Sequence, residues 1–211
     1  HTLLGAAHPA LLFDYYGFPA ESYELTWPAP GAPAWLQERV QQLLGAAGFE
    51  TAIDAERGYD HGTFVPLKLT YPHADVPVLQ LSLMRGLDPA LHLQLGAALA
   101  PLRDEHVFIV GSGMTFHNLR AVRDPAARPR AEQFHAWLDE TVALEPQARA
   151  ARLSNWASAP AARFVHPREE HLLPLMVAAG AAAGDRGRTA FSGSVLGMPA
   201  RAVHFGERPD G

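Results

Sequence analysis

A strand, a helix and a second strand follow one another between Pro77 and Gly113, and this succession constrains the fold more than any other feature of the chain. Pro77-Val78-Leu79-Gln80-Leu81-Ser82-Leu83 is a short apolar run, and Pro89 to Leu102 carries helical spacing. Val107-Phe108-Ile109-Val110 is a second apolar run, ending on Gly111-Ser112-Gly113. Two strands joined through a helix run parallel, because a parallel pair needs a long crossover whereas an antiparallel pair closes on a short turn. The expected class is therefore α/β: a single domain with a central, largely parallel or mixed sheet flanked by helices. At 211 residues the chain is long enough for one such core.

The remaining segments extend this pattern. Trp35, Leu36, Val40, Leu43 and Leu44 predict a helix over Ala34 to Ala47, with Gly48 as its stop. Phe49 to Ile53 reads as a strand, and Gly62 to Tyr71 as a helix that must accommodate Pro66. Further helices are expected over Ala131 to Val142 and Glu169 to Ala183, the Ala-rich part of the latter packing closely. A strand-rich stretch follows from Arg188 to Phe205. The Pro-rich segment from His8 to Pro33 and the segment from Asp124 to Arg130 read as loops.

Charge and composition narrow the function. A formal net charge of -5, with no long Lys/Arg run, removes the basis for tight binding to a phosphate backbone, so nucleic acid is excluded in favour of a small molecule. The chain has no cysteine, which leaves His, Asp and Glu as metal ligands. No apolar run reaches the roughly 20 residues of a membrane span, and no charged-then-apolar leader opens the chain, so the expected location is the cytoplasm, with no membrane partner.

Three of the eleven histidines stand in informative contexts. His117 follows an apolar run and a Gly-Ser-Gly turn, where α/β proteins place ligands; it could equally cap the next helix. His61 sits in Tyr59-Asp60-His61-Gly62 at a loop-to-helix junction, where Asp60 suits a cap and Gly62 permits close approach of a ligand. Read from the residues alone, it is a helix-start histidine. His171 lies in Pro167-Arg168-Glu169-Glu170-His171-Leu172-Leu173-Pro174-Leu175, near the start of an otherwise apolar helix, where Glu169 and Glu170 read as ordinary complements to the helix dipole.

These segments together resemble the LigB-type (class III) extradiol ring-cleavage dioxygenases, in their DOPA-dioxygenase branch. The resemblance runs in order through Asp14-Tyr15-Tyr16-Gly17-Phe18-Pro19, Tyr23-Glu24-Leu25-Thr26-Trp27-Pro28-Ala29-Pro30-Gly31, Asp60-His61-Gly62 and Tyr71-Pro72-His73-Ala74-Asp75-Val76-Pro77-Val78. It continues through Gly111-Ser112-Gly113 with His117-Asn118-Leu119-Arg120, and ends at Glu170-His171-Leu172-Leu173-Pro174-Leu175. It implies one non-haem metal, Fe(II) first and Zn(II) second, held by His117 and His171. It also implies His61 as the catalytic acid/base, and a catecholic substrate opened by O2. A nearby imidazole suits that role, because its pKa lies near neutrality.

Family members carry a Gly-His-Gly turn and a Ser-x-His-Trp segment upstream of the Tyr-Gly-Phe-Pro loop, and neither occurs here. The first residue is His1 rather than Met, so the expectation is that residues 1–211 are a LigB-type catalytic domain lacking its N-terminal portion. Two other readings stand beside the dioxygenase: a zinc-dependent hydrolase that activates water, and a non-enzymatic binding protein of the same fold. The aromatic segment from Tyr15 to Trp27 suits a pocket rim or a contact within a homo-oligomer, and Arg120 and Lys68 read either as partners for a substrate carboxylate or, in preference, as solvated or structural residues.

Overall fold

A computed structural model describes residues 1–206, and the chain divides into two units, His1–Ser82 and the residues from Leu83 onward. In the first unit, β1 (Thr2–Leu4) pairs parallel with β2 (Ala52–Asp54), Leu3 lying opposite Ile53. On its other edge β1 meets residues 80–82 in the antiparallel sense. The Leu4 N–H donates to the Gln80 carbonyl at 3.0 Å and the Ser82 N–H to the Thr2 carbonyl at 2.9 Å. Pairing on both edges buries Leu3 and Leu4.

α1 (Ala34–Ala46) buries Leu36, Val40 and Leu44, one residue per turn on one face. It stops where Gly48 predicts: the Gly48 N–H returns to the Gly45 carbonyl at 3.0 Å and the Phe49 N–H to the Leu44 carbonyl at 2.9 Å. α2 (His61–Thr70) runs through Pro66, which has no N–H to return to residue 62. The Asp60 cap and burial of Phe64 hold the helix across that gap. Leu4, Trp27, Tyr59 and Phe64 form this unit's core. The buried Tyr59 hydroxyl lies between two carbonyls, Val78 at 2.9 Å and Pro30 at 3.0 Å, and burial pushes its pKa up to about 12.

The second unit holds α3 (Pro89–Leu99), α4 (Arg128–Val142), α5 (Pro146–Ser154), α6 (Ala162–Val165) and α7 (Leu173–Ala181). An antiparallel hairpin, β3 (Gly187–Val195) and β4 (Met198–Phe205), follows them. α3 and α7 lie backbone against backbone. A Cβ on Gly96 would stand 2.0 Å from the Val177 carbonyl oxygen, and one on Gly180 would stand 2.1 Å from that of Leu93. Around this pair, Phe134, Leu138, Leu153, Trp156 and Met176 form the core. Two arginines close the far end of α7. Arg103 donates to the Ala181 and Ala182 carbonyls at 3.2 and 3.0 Å, and the buried Arg149 to those of Asp185 and Ala179 at 2.7 and 3.3 Å.

The α/β class of the sequence reading stands, with strands of both senses among helices, but the described strands make two small sheets rather than one central sheet. Pro77–Leu83 contributes only the isolated bridges at Val78 and Leu81. Val107–Val110 belong to no described strand; Phe108 and Val110 are exposed and alternate with half-buried Val107 and Ile109. An apolar run becomes a strand only where a neighbouring edge takes its hydrogen bonds, which the run itself does not encode. α3 ends at Leu99 and tightens into a 3-10 turn over Ala100–Glu105, because Pro101 cannot donate to a continuing α-helix. Glu169 to Leu172 precede α7 instead of opening it, since Pro174 is tolerated only in a first turn. The segment from Asp124 to Arg130 is a 3-10 turn leading into α4 rather than a loop throughout, and α5 was not anticipated. Among the described residues, no helix is long and apolar enough to cross a membrane.

Candidate metal centre and acid–base pair

The segment that carries His117 is laid against the one that carries His171. A Cβ on Gly113 would lie 2.2 Å from the His171 carbonyl oxygen, so only glycine lets the two backbones touch there. The Met114 N–H donates to that same carbonyl at 3.0 Å, and the His117 N–H to the Val165 carbonyl at 3.0 Å. Asn118 Nδ2 adds a bond to the Phe164 carbonyl at 2.7 Å. Residues 113–118 are thus tied along their length to residues 164–171.

This places the two imidazoles face to face, 3.3 Å between ring centroids and 18° from parallel. Glu170 Oε1 stands 3.4 Å from His171 Nδ1 and 4.0 Å from His117 Nδ1. One donor atom from each of His117, Glu170 and His171 falls within 4.8 Å of the others, and all three side chains are half-buried. Ligands to a common ion at roughly 2.0–2.2 Å stand no more than about 4.4 Å apart, so the donors are close enough to share a metal once the two rings tilt out of their stack. Two imidazoles and one carboxylate are a donor set suited to Fe(II) or Zn(II), and the cluster fits such an ion. Glu170 escaped the sequence reading because acidic residues beside a helix start are ordinary dipole complements. Its position outside α7 removes that explanation.

Two buried histidines support the cluster. His135 Nδ1 faces the Ala131 carbonyl at 2.8 Å and therefore carries the hydrogen, leaving Nε2 to accept from the Thr115 hydroxyl at 2.8 Å. Thr115 Oγ1 in turn accepts from the Arg201 N–H at 3.0 Å, so residue 115 is fixed from two sides. His166 is fully buried, its ring edge-on to Phe134 at 5.4 Å and Trp156 at 6.0 Å. Burial pushes its pKa down to about 3; the Thr115 backbone offsets part of this, and the imidazoles of His117, His171 and His135 add to it. Neither residue drew attention in the sequence, where each stands in an unremarked context.

His61 belongs to the first unit and has different surroundings. It is the first residue of α2, whose N-cap, Asp60, accepts from the Thr63 N–H at 3.3 Å. Asp60 is held in turn by Gln80 Nε2 at 2.5 Å. His61 Nδ1 lies 2.7 Å from Asp14 Oδ1, and the His61 backbone N–H donates to the same oxygen at 3.0 Å. Burial raises the Asp14 pKa, but the bonds from the His61 backbone and ring outweigh it and hold the carboxyl below its ordinary value. Tyr15 presents its ring to His61 at 6.0 Å, nearly perpendicular, within a group that includes Phe13, Tyr23 and Phe64. Lys68 bonds the Thr26 carbonyl at 2.6 Å, in keeping with a structural role.

The profile of the family described as the catalytic LigB subunit of aromatic ring-opening dioxygenase matches residues 6–202. The dioxygenase tasH of Hapsidospora irregularis is 38% identical over 220 residues, covering 97% of this chain and 67% of that protein. The 4,5-DOPA dioxygenase extradiol of Beta vulgaris is 42% identical over 178 residues, covering 81% of this chain and 64% of that protein. The chain spans about two thirds of the length of these relatives. A crystal structure of an uncharacterized protein from Escherichia coli K12 matches with a TM-score of 0.79 at 29% identity, over 96% of this chain and 79% of that one.

Proposed function

Because the chain belongs to the family of the catalytic LigB subunit of aromatic ring-opening dioxygenase, we propose that it works in the cytoplasm as a metal-dependent extradiol dioxygenase, using O2 to open the ring of a DOPA-like catechol. The observation that carries this reading is the convergence of His117, Glu170 and His171. His117 and His171 hold the ion through ring nitrogens and Glu170 supplies an oxygen, a two-histidine, one-carboxylate set that suits Fe(II), with Zn(II) as the second choice. Bound there, a ferrous ion supplies open coordination positions for a catecholate and O2.

In this reading the chain's own residues bind the ion and move protons. His61 takes a proton from a catechol hydroxyl and returns one as the ring opens, a general acid–base role that an imidazole can fill. The decisive experiment is anaerobic: protein, Fe(II) and DOPA are mixed, then air is admitted. A yellow ring-opened product appearing only after air supports the dioxygenase. Its absence with Fe(II) present refutes it.

A further inference from the structure

Asp14 Oδ1 accepts twice from one residue: from the backbone N–H of His61 at 3.0 Å and from its ring at 2.7 Å. We propose that Asp14 is the positioning residue of His61, holding the ring in the tautomer that carries its hydrogen on Nδ1 and turns the Nε2 lone pair to the substrate. An ionised carboxylate can only accept, so the ring nitrogen facing it must donate. In a neutral imidazole the other nitrogen is then the base.

Helix capping accounts only for the backbone half of the contact: Asp60 takes the Thr63 N–H and Asp14 the His61 N–H, but the ring bond serves no helix-end donor. The shared oxygen locks ring to backbone, which limits rotation about the His61 side chain. Asp14 is itself anchored: its N–H donates to the Leu12 carbonyl at 3.0 Å, and the hydroxyl of the adjacent Tyr15 donates to the Ser22 carbonyl at 2.5 Å. Ionisation of Asp14 at neutral pH follows from the His61 bonds described above. The His61 side chain remains 46% exposed, so the ring is not walled in by these contacts.

The inference rests on the reading of His61 as the acid/base group, and the test separates the two. Asp14→Leu keeps much of the size of the side chain and removes the acceptor that both bonds share, which releases the ring from the Nδ1–H tautomer. The expected result is a kcat lower by roughly 10- to 100-fold, part of the 10²–10⁴ that general acid–base catalysis supplies, with KM changed by less than about threefold. Long-range ¹⁵N–¹H spectra of zinc-loaded, histidine-labelled protein, with His61 assigned by its loss in His61→Phe, should pass from the Nδ1–H to the Nε2–H pattern. If Asp14→Leu does not fold, Asp14→Ala, which also lacks an acceptor, replaces it. Unchanged kcat and tautomer in the Asp14 variant, alongside a slow His61→Phe, would overturn the proposal. A near-normal kcat in His61→Phe would instead sink the acid–base reading, and the proposal with it.

Discussion

Gly113→Ala puts the joint between the two histidine segments under load. A close carbon–oxygen approach settles at about 3.3 Å, whereas the new Cβ would stand 2.2 Å from the His171 carbonyl oxygen, an overlap of about 1.1 Å. The obstacle is backbone, so it cannot rotate away. If the two strands of chain part by most of that distance, the Met114 N–H bond to the same carbonyl, now 3.0 Å, opens beyond bonding range. Losing it costs about 1 kcal/mol, and forced repacking typically adds about 1–3 kcal/mol. For a chain of this size each kcal/mol lowers Tm by roughly 2–4 °C, so a fall of about 5–15 °C is expected. His117 would move away from Glu170 and His171, so metal affinity should fall in the same variant. Calorimetry of metal-free protein and titration with Fe(II) or Zn(II) measure the two effects. A Tm within a degree of the parent, with metal binding intact, would show that the joint does not hold the cluster together.

Other outcomes follow from the same structure. Gly45 lies inside α1 with nothing within 4 Å of an added Cβ, so Gly45→Ala should stabilise by about 1 kcal/mol in denaturant melts through helix propensity. His171→Ala should lose most bound metal while far-ultraviolet circular dichroism stays unchanged; undiminished metal stoichiometry would remove His171 from the coordination sphere. The buried imidazole of His166 has a folded pKa of about 3 against an ordinary 6.5. Between these values the unfolded chain binds the extra proton, so the contribution of His166 is complete above about pH 6.5 and lost as pH falls toward 3. The slope is at most about 1.4 kcal/mol per pH unit. Thermal melts of metal-free protein across this range should show that decline, and His166→Phe should flatten it.

What the sequence reveals is mainly local. α1 and α2 fall within a residue or two of their expected spans because apolar periodicity, the Asp60 cap and the Gly48 stop are written in adjacent residues. Pairing is less legible. β1 is three residues long, too short to register as a pattern, and Val107–Val110 has the composition of a strand without a described partner. At the candidate metal centre, the Gly-Ser-Gly turn pointed to His117, and the resemblance to a family pointed to its partnership with His171. Glu170 needed coordinates, because its meaning depends on α7 starting at Leu173 and not four residues earlier. Asp14 and His61 are 47 positions apart, and no local signal announces their bond.

The arginines at the far end of α7 bear on how exacting the candidate metal centre can be. Nine helical residues rise about 13 Å, and α7 begins two residues after His171. With Arg103 and Arg149 gripping the last carbonyls, the helix cannot slide lengthwise to relieve crowding at its beginning. A chain without those guanidinium groups would keep every donor side chain and still tolerate a drift of a few tenths of an ångström. Coordination is sensitive to displacements of that size, so the tolerance of the centre is set partly by residues that never approach it.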